Sequence, residues 1–75
     1  MKNLFAQRLT ELLSDNQLSK RALARAIGVS AVSISDWTTG KVQPTADNIY
    51  AIAKYFHVSA DYLLGLEDEV GNKLF

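Results

Sequence analysis

His57, Ser59 and Asp61 lie within one short stretch and together carry a base, a hydroxyl and a carboxylate, the groups of a nucleophilic triad. Each also has a plainer explanation. Ser59 stands where a helix needs an N-terminal cap, Asp61 places negative charge in that helix's first turn, and His57 ends the helix before it. The acidic run Glu67-Asp68-Glu69 can attract a divalent cation, yet three carboxylates in series without turn-forming glycines read as a solvated face. With one His and no Cys, neither a metal-ligand set nor a thiolate nucleophile is spelled out. The chain is therefore read as a non-enzyme, with no catalytic residue, metal, cofactor or small-molecule ligand indicated. What remains is charge. Net charge is zero, but residues 1–45 carry six basic and three acidic groups, whereas residues 46–75 carry two and five. The basic half can meet a polyanion, with modest long-range attraction.

Those groups need elements to hold them, and the chain reads as helical throughout. Its 75 residues, 48% hydrophobic, suit one small domain with a modest core. Apolar runs are too short to span a membrane, and MKNLFAQRL lacks the form of a signal peptide. The absence of Cys fits the cytosol. A first helix is expected over roughly Asn3–Ser14, with Phe5, Leu9, Leu12 and Leu13 on one face. Asp15-Asn16-Gln17 forms a polar turn, and Ser19 caps a second helix, Lys20–Ile27. Gly28-Val29-Ser30 then turns into a third, Ala31–Thr39, ended by Gly40. Thr45 caps a fourth helix with the apolar stripe Ile49, Ile52, Ala53 and Phe56. Ser59 caps a fifth, Ala60–Leu64, closed by Gly65.

The densest constraint lies in KRALARAIGVSAVSISDW, residues 20–37. Ala24 is small where two helices must cross, and Gly28 sits where a positive φ costs little. Leu23, Ile27, Val29, Ile34 and Trp37 face a common core, Trp37 as a core aromatic rather than a stacking platform. Ser30 caps the second of the two helices. This is the grammar of a helix-turn-helix, whose second helix can enter the DNA major groove.

The chain resembles the Cro/repressor family of helix-turn-helix regulators, the lambda-repressor-like or xenobiotic-response-element domain, over about residues 4–66. The resemblance is carried by Arg8-Leu9…Leu12, by LSKRALARAIGVSAVSISDWTTGKVQP (Leu18–Pro44), by Asn48-Ile49…Ile52-Ala53-Lys54 and by VSADYLLG (Val58–Gly65). It implies an all-α, five-helix lambda-repressor-like domain over residues 1–66, with a core of Leu9, Leu12, Leu23, Ile27, Ile34, Trp37, Ile49, Ile52 and Phe56. Residues 67–75 follow as a charged tail, a linker start or a dimer contact. The implied function is a cytoplasmic, nucleoid-associated transcriptional regulator, a repressor of phage or prokaryotic type. It would bind double-stranded DNA as a homodimer, with helix 31–39 in the major groove. By position, Ala31, Val32, Ser35 and Asp36 read bases. Arg8, Lys20, Ser30, Ser33, Thr39, Lys41 and Gln43 contact phosphates, and Tyr62, Leu66, Val70, Leu74 and Phe75 form the dimer surface.

Three departures from the family pattern stand out. Relatives often present Gln, Arg or Asn where this helix has Ala31, Val32 and Asp36. Val32 can pack on a thymine methyl and Asp36 can accept from cytosine N4, but hydrogen-bonded readout is thin. Thr38 replaces a Glu that often pairs with the arginine of helix one, which frees Arg8 for phosphate. His57 stands where Gly commonly ends helix four. The apolar, acid-bearing helix also suits an alternative, a protein-interaction module on the same fold such as an antitoxin or anti-repressor.

Overall fold

A computed structural model describes residues 3–74. Five helices follow in order: α1 (Phe5–Asp15), α2 (Lys20–Ile27), α3 (Ala31–Thr38), α4 (Ala46–Phe56) and α5 (Ala60–Leu64). The sequence pattern places α2 and α5 within these bounds, gives α4 its Thr45 cap and His57 end, and leaves small differences at the ends of α1 and α3. α1 begins at Phe5 rather than Asn3, because Asn3 Oδ1 takes the Phe5 N–H at 2.9 Å from outside the helix. α3 stops one residue earlier, with Thr39 as its C-cap.

Local chemistry explains most of the boundaries. Ser19, Ser30, Thr45 and Ser59 each accept the backbone N–H three residues on, at 3.0, 3.1, 3.3 and 2.9 Å. Each bond satisfies one of the orphan donors that a helix start leaves. The α2–α3 turn works as the sequence requires. Gly28 takes φ +77°, and its N–H and that of Val29 both return to the Ala24 carbonyl. Among the described residues, two non-glycines also adopt left-handed backbone: His57 (φ 58°), as its helix-ending position implies, and Gln17 (φ 51°). At Gln17 the chain leaves α1 so that Leu18 N–H can reach the Leu13 carbonyl at 2.9 Å, and Leu18 packs against the core.

α1 packs on α3 and α5, α2 on α3 and α4, and α4 on α5. The buried core comprises Phe5, Leu9, Leu13, Leu23, Ala24, Ile34, Trp37, Ile52 and Leu63. Phe5 and Trp37 meet edge-to-face, ring centroids 6.4 Å apart, which ties the start of α1 to the end of α3. Leu12, Ile27, Ile49 and Phe56, expected in the core, form a half-buried shell around it. Leu63 takes a central place instead, because α5 lies on both α1 and α4.

The tail is not a loose extension. Glu67 and Lys73 form an antiparallel bridge, Leu74 N–H donates to Leu66 O at 3.0 Å, and Asp68 N–H donates to Asn72 O at 2.9 Å. The Asp68 carboxylate closes the turn by accepting the N–H groups of Val70 and Asn72. Lys73 pairs with Asp61 and, at 2.9 Å, with Glu67, which also accepts the Ser59 hydroxyl. The acidic run expected to be merely solvated thus supplies two of the groups that hold the tail down.

Candidate nucleic-acid interface

The centre of the candidate interface is the outer face of α3. Its inner face is fixed by Ile34 and Trp37, both buried. At 3.6 residues per turn, Val32 and Asp36 then share the strip that points away from Ile34. Val32 is 69% exposed. The Asp36 carboxylate makes no hydrogen bond or ion pair among the described residues, although its backbone carbonyl is heavily used. That carbonyl accepts the N–H groups of Lys41 (2.9 Å) and Val42 (3.2 Å), which folds the following loop beside the end of α3.

Ala31, the other apolar base-reading candidate, is half-buried against the core cluster, so it offers less surface than Val32. Ser35 is half-buried, and its carbonyl accepts the hydroxyls of Thr38 (2.9 Å) and Thr39 (3.1 Å). Ser30 and Ser33 share a hydroxyl–hydroxyl hydrogen bond of 3.0 Å at the start of α3. Lys20 is exposed at the first position of α2, and Thr39, Lys41 and Gln43 are exposed beyond α3. Lys20 and Thr39 line one open groove whose floor includes Leu13 and Leu18, so these two expected phosphate contacts share a surface. The Gln43 amide oxygen lies 3.4 Å from Asn3 Nδ2, which brings the loop close to the start of α1. Nothing in the sequence pattern marks Val42, yet it is 46% exposed in the loop tied to Asp36.

Arg8 requires a correction. Its guanidinium is buried, stacks 4.2 Å from the centroid of Tyr62, and donates through Nη1 to the carbonyls of Tyr62 (2.8 Å) and Glu67 (3.2 Å). This arginine thus turns inward to backbone carbonyls. It binds α1 to the end of α5 and the tail. Tyr62 is consequently half-covered, while Leu66, Val70 and Leu74 are 41, 82 and 51% exposed. Phe75, also expected at a dimer surface, lies outside the described residues.

Charges in the tail are tuned by contact. The Lys73 ammonium, and after it the Ser59 hydroxyl, hold the Glu67 carboxyl below its usual range. The Asn72 N–H does the same for Asp68, and Asp61 followed by Glu67 raises Lys73. None of these groups lies on the α3 face. None of the described helices is long and apolar enough to cross a membrane.

Known proteins share this arrangement. A helix-turn-helix family profile matches residues 11–63. The uncharacterized HTH-type transcriptional regulator YobD of Bacillus subtilis is 31% identical over 71 residues, covering 95% of this chain and 63% of its own length. The crystal structure of the P22 c2 repressor protein in complex with a synthetic operator superimposes with a TM-score of 0.78 at 32% identity, covering 84% of this chain and 96% of that one. A transcriptional regulator from Listeria innocua superimposes with a TM-score of 0.83 at 28% identity, covering 99% of this chain and 69% of the other. The chain spans less than two thirds of the length of the curated relatives it matches.

Proposed function

The chain belongs to the helix-turn-helix family of the Cro/C1 type, with the lambda-repressor-like fold, and on that premise we propose that it is a sequence-specific DNA-binding regulator of transcription, acting as a repressor. The observation that carries this is the outer strip of α3, with exposed Val32 beside the unpaired carboxylate of half-buried Asp36, on a fold shared with a repressor solved on a synthetic operator. α3 enters the major groove. Val32 packs on the C5 methyl of a pyrimidine, and Ser35 and Asp36 offer hydrogen-bonding groups to base edges. Lys20, Ser30, Ser33, Thr39, Lys41 and Gln43 flank that strip and contact phosphates, fixing register without reading sequence.

One recognition helix of eight residues reaches few base pairs, so the working unit is a homodimer on a pseudo-palindrome. The molecule measures 33 × 25 × 20 Å, which suits two copies whose α3 helices sit one DNA turn, about 34 Å, apart. Leu66 and Leu74, paired across the tail, are exposed apolar groups suited to the contact between copies. The protein acts in the cytoplasm on the nucleoid.

The alternative of a protein-docking module predicts a different response to salt. If the lysines neutralise phosphates, the affinity for duplex DNA falls steeply as salt rises, and Lys20→Ala and Lys41→Ala each flatten the log–log slope by about one unit. Fluorescence anisotropy titrations over a salt series measure this. Slopes identical in wild type and both variants would remove these lysines from the interface.

A further inference from the structure

Resting on the placement of α3 in the major groove, we propose that this helix distinguishes 5-methylcytosine from cytosine. Val32 packs on the C5 methyl while Asp36 accepts a hydrogen bond from the N4 amino group of the same ring. The two residues stand four apart in α3, so their Cβ atoms are neighbours, about 6 Å from each other, on one strip of the helix. Val32 is 69% exposed, and the carboxylate of half-buried Asp36 has no hydrogen-bond or ion-pair partner among the described residues. The strip therefore offers, side by side, an apolar surface and a pure hydrogen-bond acceptor. Neither of these two side chains carries a donor.

No unmodified base satisfies both groups. Thymine presents a methyl, but beside it stands the O4 acceptor, which repels a carboxylate. Cytosine presents the N4 donor with no methyl, leaving Val32 against empty space. Adenine presents an N6 amino donor and guanine the O6 and N7 acceptors, but neither carries a methyl for Val32. 5-Methylcytosine alone places a methyl next to an amino donor, and Watson–Crick pairing with guanine leaves one of the N4 protons free in the major groove.

The test begins with duplex selection from two randomised pools, one made with cytosine and one with 5-methylcytosine throughout. Each cytosine of the enriched site is then methylated singly in synthetic duplexes, and Kd is measured for wild type, Val32→Ala and Asp36→Ala. Far-ultraviolet circular dichroism confirms that the variants are folded, as substitutions of outward-facing side chains should be. One position in each half-site should bind about fourfold tighter when methylated, the change that burying one methyl-sized group implies. That gain should vanish in Val32→Ala, and Asp36→Ala should tolerate thymine there. Enriched sites with no methylated position that gains, or a gain that survives Val32→Ala, would overturn this inference and leave DNA binding standing. A folded protein that enriches no duplex from either pool would overturn both.

Discussion

At the scale of single residues, backbone conformation and buried polar contacts decide what can be changed. Gly65 has φ +86°, and a Cβ there would meet the Leu4 side chain at 2.9 Å. His57 occupies the same left-handed region at φ 58° as an exposed L-residue. Opposite outcomes follow. Gly65→Ala should destabilise by about 1–2 kcal/mol or more, since strain and overlap add, while His57→Gly should stabilise by about 0.5–1 kcal/mol. Urea denaturation of both variants checks the pair of signs. Arg8 is the other sensitive position. Its guanidinium serves two carbonyls and stacks on Tyr62, so Arg8→Ala should cost about 2–3 kcal/mol, and the salt slope of DNA binding should stay at its wild-type value. A change in slope would return Arg8 to the phosphate-contacting set. The role of Arg8 cannot be read locally, because its acceptors lie 54 and 59 residues along the chain. The caps are legible because each acts on an N–H only three residues away.

Among elements, the helices and the tail differ in what holds them. α2 and α3 follow from a short-range code of cap, apolar spacing, small residue and glycine, which is why Lys20–Ile27 and Ala31 onward can be placed from sequence. The tail has no such periodicity. Its order comes from a side-chain ring of Ser59, Asp61, Glu67 and Lys73, closed by the Asp68 turn, and that pairing only exists once α5 has folded. Contact with donors lowers the Glu67 and Asp68 carboxyls, so their contribution is complete above the ordinary carboxylate range and is lost as pH falls through their lowered values. Lys73 is raised, so its contribution holds below the ordinary lysine range and disappears only as strong alkali is reached. The protection of the Leu74 amide, whose N–H is bound to Leu66, measured relative to its intrinsic exchange rate at each pH, should therefore fall on acidification below the ordinary carboxylate range before that of the Leu23 amide of α2 does. Simultaneous release of both amides would show that the tail has no separate latch.

For the whole molecule, fold and function were legible to different depths. The agreement of Leu23, Ala24, Ile27, Gly28, Ile34 and Trp37 in one register specifies a helix-turn-helix, since each is dictated by packing or backbone geometry. The same packing code does not say which groups face outward productively. The Val32–Asp36 strip follows from the helical period once Ile34 and Trp37 face inward, but the loop that the Asp36 carbonyl folds beside it has no periodic signature. The charge dipole of the chain, basic before residue 46 and acidic after it, favours approach to DNA by the half that carries α2 and α3. The central claim is that this half reads a two-fold-symmetric DNA site through α3. Its most direct test is selection of duplexes from a randomised pool at near-physiological salt. The expected result is an enriched pseudo-palindrome with half-site centres about one helical turn apart, lost when Val32 and Asp36 are both replaced by Ala. A folded protein that enriches no motif, or one whose motif is unchanged by the double substitution, would contradict the claim.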